Sequence, residues 1–381
     1  MRYRALIILL ILLPLPLAYS EPAKLWSYTD TCAVFSMAIN DDGFISLAFG
    51  YYAELLSPNG SLIMKAPTRG IAYTTALSTH NVVVIGTEGN WIQTFSPTGK
   101  ILWEYHARNN VVSVAISKDG KIVAAGDASG YLYLFKNGKL LWKQHVGDYV
   151  WKVALSNESI LVGTDKGISA LSISGALKWS KKLPGGVREI IPTKYGIATL
   201  TVPENENWGE IALLKNNGTT IWQVNFSRYV RKIASDGKNL AVAGMIGNVT
   251  LISLKSGKRI YSTPFAMYAN DVGTLNGYTI VSGGRISQLI GPNGSVVWFE
   301  KFNGTVYHVA FSPKGYFLTE YGSHDIQNCY SNITAWKLSG SALTTTTQPK
   351  EGSRITFNPL IGVILVIAVI FLGVLLWHER Q

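Results

Sequence analysis

Arginines and aromatic residues stand repeatedly in the polar segments between apolar runs, among them Arg69, Trp91, Arg108, Tyr149, Arg188, Trp208, Arg228, Arg231 and Arg285. A guanidinium presents paired donors to carboxylates and carbonyls, and an aromatic ring presents a stacking face, so this set supports binding rather than bond breaking. Signatures of catalysis are missing: no Gly-x-Ser-x-Gly elbow, phosphate loop, His-Glu-x-x-His or Gly-x-Gly-x-x-Gly occurs. Ser323-His324-Asp325 holds the letters of a hydrolytic triad, but adjacent residues point in different directions and the segment reads as a loop. The six histidines are dispersed without metal-ligand spacing, and Asp41-Asp42-Gly43 lacks the further oxygen ligands of a calcium loop. Thus no catalytic, cofactor-binding or metal-binding residue is assigned.

The elements that must position these residues are short strands. The 381 residues are 47% hydrophobic and only 15% charged, with 37 Gly, 11 Trp and 19 Tyr, which excludes a disordered or coiled-coil chain. The net charge of +11 is scattered rather than clustered, which argues against nucleic acid as a partner. A period near 39 residues runs through the interior, marked by a Gly-rich turn, an apolar pair and an aromatic: Trp26, Met64, Trp103, Trp142, Trp179, Trp222, Tyr261 and Trp298. The stretch Val111 to Trp142 shows the grammar of one unit, four alternating or wholly apolar strands A to D, separated by Lys118-Asp119-Gly120, an Asp127–Gly130 loop and Asn137-Gly138. Eight such units predict an all-β fold, an eight-bladed β-propeller of four-stranded antiparallel blades over residues 21–340.

The turn Ser96-Pro-Thr-Gly-Lys-Ile-Leu-Trp103 resembles the tryptophan-docking repeat of the pyrroloquinoline-quinone-type (PQQ-like) eight-bladed propellers, a fold akin to the tryptophan-aspartate-repeat propellers. The likeness covers about residues 24–340, and six of the eight units keep the Trp. It implies inter-blade packing of the landmark aromatics. The quinone enzymes of that family add an acidic calcium site, a catalytic Asp and a vicinal disulfide, none of which can be placed on this sequence. The non-enzymatic scaffolds of the same fold, such as the outer-membrane assembly lipoproteins, are the nearer likeness, with no cofactor implied.

The last unit supplies strands A, B and C and then ends, whereas Leu25-Trp26-Ser27-Tyr28 is an unmatched strand D, so pairing the two predicts a latch that closes the ring. That closure brings Cys32, just after the latch strand, and Cys329, in the last B–C loop, to one seam of one face, where a disulfide is expected. The B–C loops and D–A links emerge on this same face, with extended loops at Val202–Gly209 and Gly322–Ser331. The opposite face carries only short turns. Binding is therefore expected on the loop face, through Arg108, Tyr149, Arg188, Arg228 and Trp208.

The ends predict membrane attachment. Residues 1–20, a basic head, an apolar run from Ala5 to Leu17 and Ala18-Tyr19-Ser20, read as a signal peptide. Residues 341–354 read as a Thr-rich stalk, 355–377 as a transmembrane helix with the unbroken apolar run Leu360–Trp377, and 378–381 as a short cytoplasmic tail. Eight N-glycosylation sequons, at Asn59, Asn157, Asn217, Asn225, Asn248, Asn293, Asn303 and Asn332, exceed the roughly three expected by chance, although four are Asn-Gly pairs that tight turns also demand. The expectation is a single-pass plasma-membrane protein whose extracytoplasmic propeller binds a protein, a glycan or an envelope component. A quinone-type dehydrogenase or lyase working in the central channel is the alternative, and a purely structural surface protein a third.

Overall fold

A computed structural model describes residues 21–156, 159–245, 247–323 and 329–338. The expected signal peptide, stalk, transmembrane helix and tail, and Asn157, lie outside these residues. Among the described residues there are 32 strands in eight four-stranded sheets and no helix.

Blade one is β2 (Val34–Ile39), β3 (Ile45–Phe49), β4 (Tyr52–Leu56) and β5 (Leu62–Pro67). Six further blades repeat the order, from β6 (Ala72–Leu77) to β29 (Val296–Lys301), every neighbouring pair antiparallel. Blade eight takes β30 (Thr305–Phe311), β31 (Tyr316–Ser323) and β32 (Tyr330–Lys337) from the end of the chain, and its fourth strand is β1 (Ala23–Asp30) from the beginning. The latch pairs Ser27 with Thr334 and Asp30 with Ser331, so two sheet edges that would otherwise be open are covered.

The middle strands of each blade are apolar on both faces because neighbouring blades sandwich them. Leu47, Ile85, Ala124, Val162, Leu200, Val242, Ile280 and Leu318 are all at most 1% exposed. The outermost strands are half in water and alternate accordingly, as in Lys139–His145.

The landmark aromatics lock one blade to the next. Trp26, Trp142, Trp179 and Trp222 donate their indole N–H to the carbonyls of Pro58, Ile173, Asn216 and Leu254, each in the turn before the following blade's last strand. The same turns place a glycine with positive φ against the indole. A Cβ on Gly60 would lie 2.4 Å from Trp26, and one on Gly218 2.7 Å from Trp179. Only glycine both adopts that backbone and admits the ring.

Candidate functional site

Seven of the eight innermost strands carry a β-bulge at the same register position. The shift falls between Val34 and Ser36, Ala72 and Thr74, Val111 and Ser113, Val150 and Lys152, Val187 and Glu189, Val230 and Lys232, and Val306 and His308. A bulge re-aims the extra residue, and here the extra residues are Phe35, Tyr73, Val112, Trp151, Arg188, Arg231 and Tyr307. The seventh blade has no bulge and places Asn270 just before its inner strand. In ring order this is an aromatic arc, Tyr307, Phe35 and Tyr73, facing a second arc of Trp151, Arg188 and Arg231 across the channel. A cavity of about 510 Å³ at the channel mouth is lined by Phe35, Tyr307, Tyr229, Arg188, Arg231 and Asn270, among others.

One residue deeper, the inner strands present Ser36, Thr74, Ser113, Lys152, Glu189, Lys232, Asp271 and His308, which tie blade to blade. Val153 N–H donates to Ser113 Oγ at 3.0 Å and Val309 N–H to Asp271 Oδ2 at 3.2 Å. Glu189 receives Lys152 Nζ at 2.9 Å from one neighbouring blade and Lys232 Nζ at 2.5 Å from the other. Burial alone would raise the Glu189 carboxyl, but the two ammonium groups overcome it and hold the group at about 2. His308 approaches Asp271 Oδ2 at 3.6 Å and the Val34 carbonyl of blade one at 3.2 Å. Burial opposes its protonation, yet Asp271 and Glu320 raise its pKa. Behind it the fully buried Glu320 is pushed up to about 7, chiefly by burial.

Of the residues expected to bind, Tyr149 and Arg188 share a second cavity of about 520 Å³, which Trp151, Asp148 and Val202 also line. The Arg188 guanidinium lies 3.3 Å from the Trp151 ring centroid, and Tyr149 packs on the same ring at 4.2 Å between centroids. Arg188 therefore forms the wall between the two cavities. The other three are not gathered there. Arg108 stacks on Tyr131 at 4.8 Å and donates to its hydroxyl. Arg228 lines a separate cavity of about 240 Å³ with Asn225 and Asn248, two of the sequon asparagines. Trp208 is half-buried just before β20 (Gly209–Leu214).

Several sequence expectations need adjustment. The last B–C loop is shorter than Gly322–Ser331, because β31 and β32 stay paired out to Ser323 and Tyr330. Arg188 and Arg231 belong to inner strands rather than to the polar segments between them, since a bulge, not a connection, exposes them. Asn59, Asn217, Asn225, Asn248, Asn293 and Asn303 are exposed, whereas Asn332 lies half-buried within β32 and donates its amide to Thr29 Oγ1 at 2.6 Å. Both cysteines are half-buried thiols in the structure. The residues missed altogether, Phe35, Glu189, Lys232, Asp271 and His308, had a signal: aligned on the inner strands, Val34-Phe-Ser, Val150-Trp-Lys, Val187-Arg-Glu, Val230-Arg-Lys and Val306-Tyr-His form one column.

The donor set does not fit a quinone held by calcium. The channel mouth is cationic, Glu189 there is taken up by two lysines and Asp271 faces His308, the two cysteines are far apart in sequence, and no group of three or more metal-ligating side chains occurs among the described residues.

No curated protein sequence matches the chain. Residues 130–310 match the family model PQQ_2, described as outer membrane protein assembly factor BamB. Many solved structures share the fold, three of them as follows. The computationally designed Ika8 protein superposes with a TM-score of 0.70 at 12% identity, covering 82% of this chain and 99% of its own. BamB from Moraxella catarrhalis gives 0.66 at 13%, covering 83% and 100%. Sqt1 from Saccharomyces cerevisiae gives 0.68 at 10%, covering 84% and 100%. With its docked tryptophans, its eight four-stranded blades and the match over residues 130–310, the chain is an eight-bladed β-propeller whose repeats resemble those of the PQQ-like family.

Proposed function

We propose that this protein is a membrane-tethered binding scaffold whose propeller, outside the cytoplasm, captures a protein partner on the face of its B–C loops and D–A links. The observation that carries the reading is the placement of Arg188 between two cavities, stacked on Trp151 beside Tyr149, on a rigid inner strand rather than a mobile loop. A stacked guanidinium keeps its donor edge free for carboxylates and carbonyls, while the rings supply area. The family match to an assembly factor supports a scaffold role, and the apolar run Leu360–Trp377 supports the tether to the plasma membrane. Arg108, Arg228 and Trp208 extend the same face outward and complete the proposed contact set.

The test is co-purification of cross-linked partners with the full-length chain. Arg188→Ala together with Arg228→Ala should weaken capture at least tenfold with an unchanged melting temperature. Capture that survives these changes but is lost on altering the short turns at Asp119 and Asn293 would overturn the choice of face.

A further inference from the structure

We infer that the channel mouth is a receptor for a polypeptide C-terminus, its carboxylate held between Arg188 and Arg231 and its last side chain resting on Phe35 and Tyr307. This deepens, and rests on, the protein-capture reading. Arg188 and Arg231 occupy equivalent bulge positions on the inner strands of adjacent blades, so both guanidiniums converge on one cavity. Arg231 has no carboxylate partner among the described residues, and Arg188 has one long ion pair. The Arg231 contacts among the described residues are the Asn270 carbonyl and the Tyr268 hydroxyl. The Arg188 Nε is buried without an acceptor, and the carboxylate paired with that guanidinium, Glu206, stands 3.6 Å away.

The floor of the cavity does not repel an anion. Glu189 is spanned by Lys152 and Lys232, and the second carboxylate of the floor, Asp271, faces His308 at 3.6 Å, so both acidic groups already have a basic neighbour. On the far side of the mouth, Phe35 is 37% exposed and Tyr307 half-buried, and both line the same cavity as an apolar surface. A ligand matching both halves has a carboxylate directly beside an apolar or aromatic group. The last residue of a polypeptide has that composition. The second cavity, reached past Arg188, gives the preceding residues a course outward over Tyr149 and Trp151. An internal loop would have to bring two strands into a mouth of about 510 Å³, whereas a chain end enters as one.

The experiment offers the purified full-length protein two equimolar mixtures of acetylated pentapeptides with every residue type at the last position, one mixture as free acids and the other as C-terminal amides. Free acids ending in apolar or aromatic residues should be retained, and their amides should bind at least tenfold more weakly. Arg231→Gln should reduce retention of the acids about tenfold, and Phe35→Ala should erase the preference for the last side chain while the melting temperature holds. Equal retention of acids and amides, or no retention of either, overturns the inference. Partner capture measured on the same preparations separates the two ideas: capture without peptide binding sinks the terminus site alone, and peptide binding without capture sinks the scaffold reading.

Discussion

The Tyr28 hydroxyl donates to Glu54 Oε2 at 3.0 Å, which ties the first strand of the chain, a member of blade eight, to the third strand of blade one. Tyr28 also lies 3.1 Å from Asp30 Oδ2, and Lys65 bridges Asp30 and Glu54. The latch is thus held by its ladder to β32 on one side and by a buried polar cluster on the other. Tyr28→Phe should cost about 1–3 kcal/mol, because it leaves buried carboxylate oxygen without its donor. Deleting Ala23–Asp30 should expose the edge of β32 and give aggregation or a broadened melting transition. An undisturbed transition in the deletion would refute the role of the latch.

Stability should fall between pH 5 and pH 8. Burial raises Glu54 and Glu320 to about 7 from an ordinary 4.5, so within that window the unfolded chain has released protons that the folded ring still holds. Each group then weakens the fold by an amount of order 2–3 kcal/mol as pH rises through the window. His308, also raised, adds in the same direction, since its stabilisation is present below the unfolded value and lost above the folded one. Glu189, held at about 2, contributes stability above 4.5 that is lost as pH falls towards 2. The melting temperature should therefore peak near pH 5, and Glu320→Gln should flatten the decline. A melting temperature that is level from pH 5 to 8 in the parent protein would contradict this account.

The seam should accept a disulfide. Asp30 pairs with Ser331, and continuing that antiparallel register by two residues on each strand sets Cys32 opposite Cys329. Directly opposed residues on antiparallel strands lie about 4.5–5.5 Å apart at Cα, within the range a disulfide spans. Closing a loop of roughly 300 residues would stabilise the ring by on the order of 5 kcal/mol. Intact-mass measurement after alkylation without reductant should show neither cysteine labelled in protein exported to an oxidising compartment; two labels would end the idea.

Glycine substitutions should separate backbone strain from blade docking. Gly218 and Gly237 both have φ near +80°, but a Cβ on Gly218 meets Trp179 at 2.7 Å, while one on Gly237 meets nothing within 4 Å. Gly237→Ala should cost about 1–2 kcal/mol from the left-handed backbone alone. Gly218→Ala should cost clearly more, because the indole must also leave its seat. Equal losses would show that the Trp docking adds little.

The periodic tryptophans and turn glycines made the blades legible in advance, because each is a local demand repeated every 39 residues or so: Asn137-Gly138 needs its turn and Trp142 needs its neighbour. The latch followed by subtraction, since one unit lacked a strand that the N-terminus had to spare. The channel mouth was harder. A bulge is a mismatch between two strands, and no single strand such as Val230–Ser235 announces it. Arg188 and Arg231 were noticed for their charge but placed between strands, and their pairing became visible only when the inner strands were set side by side. Arg108 and Arg228 looked equivalent to Arg188 by type, yet lie apart from it because they belong to connections at the outer rim.

The origin of the latch also sets a clock. β1 is the first strand of the propeller to be made and β32 the last, so at about 5–20 residues per second the early strand waits roughly 15–60 s for its partner. During that interval Trp26 and Tyr28 have Pro58 and Glu54 of blade one within reach but the backbone edge of β1 has no strand to pair with, and the seven intervening blades can dock in sequence while the circle stays open. The weakest moment in the life of this ring therefore belongs to its N-terminus, before the final hairpin arrives.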